Sequence, residues 1–340
     1  MKRVTMLDIA KKAGVTKATV SLVLSGNKRI SKDTKTKVLK IIKECNFIPN
    51  DSARKLALGR TNTIALIGPR FVGPFMSGVL SSLEEKAAGT EFSVQPYSTM
   101  HSIKFRDRIM GEILYARKAD AVIMLTSAPP ERYVKEYKRA GLPLILIENR
   151  MPGAHSITLD NRKASYEASR YLIKKYGVKA GYVSASMSWG ADSEPNPTVM
   201  ERFRGYKDAL REEGVKFDEG MTAEAPDYSF ENGIEAFKKI YGYEKKVKSI
   251  FCACGDVAAY GVMSAAVKNK IKIPAQLAVM GYDDIFPLST AAEPGITTIT
   301  QNFREIGRIA FDIAVNAAGG GYKRDVDIRL EPEIIARGSA

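Results

Sequence analysis

From Thr63 onward the chain repeats one pattern: a short, continuous run of apolar and β-branched residues, then a stretch with the spacing of an amphipathic helix. The apolar runs fall at residues 64–68, 92–97, 121–126, 144–148, 181–185, 249–253 and 277–282. Helical stretches such as 75–88, 166–176 and 200–213 separate most of them. Strands that are apolar on both faces belong in parallel sheets covered by helices on both sides. There are too many units for one compact sheet. The pattern predicts two doubly wound subdomains with a cleft between them, and ligands bind in such clefts at the carboxyl ends of the strands. The Gly319–Gly321 run lacks the strand-then-helix context of a phosphate cradle and reads as a loop.

The first 60 residues have a different character. They hold 15 Lys and Arg against 4 Asp and Glu, while the remaining 280 residues hold 37 against 34. A small basic module on a nearly neutral body points to a polyanion, either nucleic acid or an anionic membrane surface. The first 45 residues read as three short helices. Asp8 to Ala13 lie on the first, and Gly14 ends it because Gly reaches the left-handed turn at little cost. Thr16 caps a second helix over about 17–24, and Ser31 caps a third, with Val38, Leu39, Ile41, Ile42 and Cys45 as one apolar stripe. Small Ala10 and Val20 face inward where the first two helices cross.

Two helices joined by a tight turn place the second in a DNA major groove, with its amino-terminal residues nearest the base edges. Lys17, Ala18, Ser21 and Leu22 point away from the core of this helix. Lys17 can donate to guanine O6/N7 or to a phosphate, and Ala18 and Leu22 offer apolar contact such as a thymine methyl. Thr5, Thr16, Ser31 and Thr34, with Lys28, Arg29 and Lys35, suit contacts that fix register on the phosphates. Residues 50–58 carry helical spacing but are too short and polar for a helix that stands alone.

Other classes lack support. Lys2 and Arg3 could open a signal peptide, but Asp8, Lys11 and Lys12 interrupt any apolar core of one, and no apolar run reaches membrane-spanning length. A cytoplasmic location is expected. Cys45, Cys252 and Cys254 are too few for a disulfide framework, and Cys252 and Cys254 lack C-x-x-C spacing; reduced thiols and no metal site are expected. The two histidines, His101 and His155, sit in no hydrolase motif, and no Gly-x-Ser-x-Gly elbow occurs, so an enzyme is not expected. A transport solute-binding protein would lack the basic head. An architectural DNA-binding protein with an idle sensor remains open.

The stretch Val4-Thr5-Met6-Leu7-Asp8-Ile9-Ala10-Lys11-Lys12-Ala13-Gly14-Val15-Thr16-Lys17-Ala18-Thr19-Val20-Ser21 closely resembles the head of the LacI/GalR repressor family. The resemblance continues through Phe47-Ile48-Pro49-Asn50 and Ala53-Arg54-Lys55-Leu56, then Gly281-Tyr282-Asp283-Asp284, Thr297-Thr298-Ile299 and Arg337-Gly338-Ser339. It implies an all-α helix-turn-helix head (1–48), a hinge helix and linker (49–61) and a periplasmic-binding-protein-like α/β body (62–340). The body is expected to divide into one subdomain of about 62–161 and 291–325 and another of about 162–290 and 326–340. Leu56 then matches a hinge leucine that wedges between base pairs from the minor groove, with Asn50 and Ala53 beside it. The plainer alternative is that Leu56 packs the linker on the body. Leu22 stands where the family usually has Arg, so a common base contact is absent.

The resemblance also implies a homodimer on a palindromic double-stranded DNA operator, acting as a repressor under a small-molecule effector, a sugar or related metabolite, with no other cofactor. Arg202, in Arg-x-x-Gly-Tyr, matches an arginine that grips ligand hydroxyls or carboxylates, and Asp283 matches an acidic acceptor. Tyr228 and Phe303 match ring-stacking positions, and Glu148 stands where an Asp is frequent. Phe75 and Arg70 lie on the first strand–helix loop, and Trp189 either lines the cleft or packs a loop. Read plainly, Arg202 could form a surface ion pair, Asp283 could cap a loop and Phe303 could be core. Gly255 replaces a frequent Asn, which removes a side-chain amide from the site.

Overall fold

The structure is a computed structural model and describes residues 4–24, 29–45, 47, 60–187 and 196–340. The chain divides into two compact units, Met1–Thr61 and Asn62–Ala340.

In the first unit, α1 (Met6–Ala13), α2 (Lys17–Leu24) and α3 (Lys32–Glu44) enclose Ile9, Ala10, Val20, Val23, Val38 and Phe47. Each helix begins on a hydroxyl residue. Thr5 Oγ1 accepts from Asp8 N at 3.3 Å, and Asp8 Oδ2 accepts from Thr5 N at 2.9 Å, a reciprocal capping box. Thr16 Oγ1 accepts from Thr19 N at 3.1 Å, and Ser31 Oγ from Thr34 N at 3.3 Å. Gly14 closes α1 at φ 66°, and its N–H reaches back to the carbonyls of Ala10 and Lys11. Leu39 departs from the expected stripe: it is 44% exposed, whereas Val38 is buried. Val38, Ile41, Ile42 and Cys45 keep the i, i+3, i+4, i+7 spacing of one face, and Leu39 lies a further 100° or so around the helix.

The second unit contains two six-stranded sheets. The first has the order β11-β5-β4-β3-β1-β2, with β1 (Thr63–Gly68), β2 (Ser93–Ser98), β3 (Ala121–Leu125), β4 (Leu144–Ile147), β5 (His155–Leu159) and β11 (Asp327–Leu330), all parallel. The second has the order β12-β10-β9-β8-β6-β7, with β6 (Ala180–Ser184), β7 (Thr222–Glu224), β8 (Ser249–Cys252), β9 (Ala278–Asp283), β10 (Thr297–Thr300) and β12 (Glu333–Ile335). Only β12 runs antiparallel to its neighbour. Helices cover both faces of each sheet. On β1, Ile64 and Leu66 pack toward α4 (Pro74–Ala87) and α12 (Phe303–Ala318), while Ala65 and Ile67 pack toward α5 (Ile103–Tyr115) and α6 (Glu131–Ala140). In the second sheet, Ile250 and Val279 face α9 (Phe230–Tyr243) and α10 (Asp256–Lys268). Tyr182, Phe251 and Met280 face α7 (Asn161–Tyr176) and α8 (Pro197–Glu212). The short helix α11 (Leu288–Ala291) precedes β10.

Two expectations need correction. Residues 297–300, placed by sequence in the first subdomain, form β10 of the second sheet, and residues 327–330, placed in the second, form β11 beside β5 of the first. The chain therefore returns to the first subdomain only at α12 and leaves it after Leu330. Both strands mix polar and apolar residues, so their side is set by which sheet edge offers unpaired backbone groups, a long-range property. In addition, β2 is not covered on both faces. It is a free edge and is largely exposed along Ser93–Ser98.

Candidate functional site

On the outer face of α2, Lys17, Ala18, Ser21 and Leu22 are all exposed, Leu22 at 39%. Arg29 and Lys35 are also exposed. The hydroxyls of Thr5 and Ser31 are already engaged, Thr5 Oγ1 donating to Asp8 Oδ2 at 2.7 Å and Ser31 Oγ to Thr34 Oγ1 at 2.9 Å. Thr16 Oγ1 lies 2.9 Å from Thr19 Oγ1. These residues hold the helix starts, and the helix amino termini they organise are the parts suited to phosphate oxygens. Lys28, Asn50, Ala53 and Leu56, with the rest of the expected hinge helix, lie outside the described residues, as does Trp189.

In the second unit the carboxyl ends of both sets of strands border a cavity of about 450 Å³. That size accommodates a small metabolite. Arg70, Phe75, Glu148, Arg202, Tyr228 and Asp283, all singled out by sequence, line it. Phe303 does not. It packs edge-on beneath Phe75, ring centroids 5.5 Å apart, and over Gly78, so its role is to support Phe75.

Arg202 projects from α8 and is 6% exposed. Its Nε donates to Asn161 Oδ1 at 2.8 Å and one terminal nitrogen to the Ala253 carbonyl at 2.8 Å, and its guanidinium lies 3.6 Å from the Tyr282 ring centroid. Asn161, the first residue of α7, is the hub. Its Nδ2 donates to Glu148 Oε2 at 2.7 Å, and its Oδ1 also accepts from the Tyr282 hydroxyl at 3.0 Å. Glu148, at the end of β4, also accepts from Leu159 N at 3.2 Å. A buried chain thus runs from the first sheet through Asn161 to α8 and β9 of the second. Burial pushes the Glu148 carboxyl upward, and Arg202 and Asn161 oppose that rise.

Asp283 ends β9, with Gln301 Nε2 donating to its Oδ1. Burial raises its carboxyl too, with Arg202 and then Gln301 pulling the other way. Behind it, Asp256 at the start of α10 accepts from Thr298 Oγ1 at 2.7 Å and Ile285 N at 2.8 Å, and burial lifts it to about 7. Gly255 precedes it at φ +135°, and a Cβ there would stand 3.1 Å from Asp283 Oδ2. The glycine that replaces the frequent asparagine is therefore required by this backbone. Several non-glycine residues around the cavity also adopt left-handed backbone: His101, Thr126, Glu148, Tyr228 and Asp283. Such strain collects where geometry serves binding.

Cys252 and Cys254 are buried, and Cys254 lines the cavity with its thiol pushed by burial up to about 12. Both are protonated and unsuited to nucleophilic work. No cluster of His, Cys, Asp or Glu able to hold a metal occurs among the described residues. Sequence reasoning missed Asn161, Gln301, His101 and Arg106. Gln301 had a faint signal, an amide closing the hydroxyl-rich strand Thr297–Thr300.

A basic helix-turn-helix head and a two-sheet body with a charged interior cavity are the parts of a regulator of transcription. Residues 5–50 match the family described as bacterial regulatory proteins, lacI family, and residues 175–340 match the periplasmic binding protein-like domain. The chain thus carries a lacI-family helix-turn-helix domain and a periplasmic-binding-protein-like domain, the two parts found in transcriptional regulators similar to it. It is 28% identical over 337 residues to the HTH-type transcriptional repressor CytR of Escherichia coli (strain K12), covering 98% of this chain and 96% of that one. It is 29% identical over 312 residues to catabolite control protein A of Priestia megaterium, covering 90% of each. Its fold is like that of a lac repressor dimer bound to operator and the anti-inducer ONPF, with a TM-score of 0.85, 20% identity and 99% of each chain covered.

Proposed function

We propose that the protein is a cytoplasmic repressor that binds a palindromic operator as a homodimer and changes its DNA affinity when a sugar or related small metabolite occupies the cavity. The observation that supports this reading is the buried chain Glu148–Asn161–Arg202 beside Asp283, charged groups from both sheets that line one cavity. A ligand bridging the two sheets favours one relative arrangement of them, and differential affinity for two arrangements is what shifts a switch. Couplings of this kind change DNA affinity by roughly 5–150-fold. In each protomer α2 reads one half-site through Lys17, Ala18, Ser21 and Leu22. Thr5, Thr16, Lys28, Arg29, Ser31, Thr34 and Lys35 set the register, and Asn50, Ala53 and Leu56 supply the minor-groove contacts.

Operator selection from random duplexes, followed by fluorescence anisotropy with sugars, nucleosides and sugar phosphates, tests this. The expected result is a two-fold symmetric consensus whose affinity shifts with at least one compound. Absence of salt-sensitive duplex binding with and without the compounds would refute it.

A further inference from the structure

The cavity is chemically two-ended. At one end the acceptors are in surplus. Gln301 is 3% exposed, and its Nε2 is fixed on Asp283 Oδ1, because the reverse orientation would set two oxygens face to face. Gln301 Oε1 is therefore an acceptor; it is buried and has no partner among the described residues. With Asp283 it asks for a ligand group that donates hydrogen bonds, as paired hydroxyls do.

At the other end, where β1 and β2 deliver their loops, the groups are donors: the Arg70 guanidinium carries the positive charge and His101 offers an imidazole N–H. Arg70 and His101 both line the cavity, close enough for Arg70 to depress the His101 pKa further after burial has lowered it. Among the described residues, Arg70 makes no ion pair or side-chain hydrogen bond. Arg106 also lines this region, but Asp107 Oδ1 already accepts from two of its nitrogens. The lining carboxylates come from other elements: Glu148 follows β4, Asp227 accepts from Ser229 N at the start of α9, and Asp283 ends β9. The first turn of α4 opens here from Gly73 with no side-chain cap, and Ser102 starts α5 beside it. Helix amino termini and an uncommitted guanidinium favour the same partner, a compact anion.

We infer that the effector is an anion-bearing polyol, its hydroxyls held by Asp283 and Gln301 and its phosphate or carboxylate by Arg70 and His101. This rests on the cavity being the effector site and narrows the ligand to one class. Both sets of groups line the one cavity, so neither a bare hexose nor a neutral nucleoside satisfies both.

Inorganic phosphate is the first probe, because it needs only the cationic end. Full-length wild type and the double variant Arg70→Gln/His101→Asn are compared by thermal shift in a phosphate titration. Both proteins share the same basic head, so their difference reports the cavity. Asn tolerates the left-handed backbone of His101, and an unchanged melting temperature without phosphate shows that the variant is folded. The expected result is stabilisation of wild type by phosphate, about tenfold weaker in the variant. Equal stabilisation of both, or none of either, overturns the inference. A second arm compares hexoses with their 6-phosphates and uronates, separating phosphate from carboxylate. If only neutral compounds shift operator affinity, the regulator reading stands and the anion assignment falls.

Discussion

Replacing Arg202 by Met keeps an apolar stem of similar length and removes the guanidinium. In the native protein that group is 6% exposed, donates to Asn161 and Ala253, lies over Tyr282 and faces Glu148 and Asp283. Removing one member of a buried charged set leaves the others uncompensated, at a cost of about 3–5 kcal/mol. For a unit of this size each kcal/mol lowers Tm by roughly 2–4 °C, so a drop on the order of 10 °C is expected at neutral pH. The pH dependence is diagnostic. Burial already raises the Glu148 and Asp283 carboxyls, and Arg202 opposes the rise. Without it their native-state values climb further above the unfolded ones, the native state binds more protons than the unfolded state across that interval, and stability falls as pH rises. The wild-type-minus-variant difference is therefore largest at neutral pH and shrinks as the two carboxyls take up protons in acid. Calorimetric melts over this pH range measure it. A difference that stays constant with pH, or a loss below about 1 kcal/mol, would refute the idea that Arg202 compensates the two carboxylates.

Gly255→Ala places a Cβ 3.1 Å from Asp283 Oδ2 at φ +135° and should cost about 1–3 kcal/mol in a denaturant titration; an unmoved midpoint would show that the loop relaxes freely. Thr16→Ala removes the 3.1 Å bond to Thr19 N and should destabilise the head by about 1 kcal/mol, read from helix loss in circular dichroism of the full chain. Lys17→Ala should weaken operator binding. A relaxed consensus assigns Lys17 to a base, whereas uniform weakening with a salt slope smaller by about 1 assigns it to a phosphate.

The features legible along the chain were those settled within a few residues. Thr16, Ser31 and Gly14 hold the ends of their helices through bonds that span one turn, so residue type and spacing sufficed. The buried strands were legible because continuous apolar runs tolerate no other environment. Arg202 and Asp283 were found through resemblance, and their joint lining of one cavity was seen only in three dimensions. Asn161 meets Tyr282 across 121 residues, and Gln301 meets Asp283 across 18. No local pattern announces such meetings, because sheet pairing creates them. The same holds for β10 and β11, whose mixed composition suits either sheet and whose side depends on the edge left open. Phe303 shows the limit from the other direction: an aromatic at a ligand-binding position turns its ring under Phe75, since the fold supplies Phe75 as the lining residue and leaves Phe303 to fill the space behind it. Local bonding and hydropathy thus specify the elements, while the cavity is assembled from the strand ends that two sheets bring together.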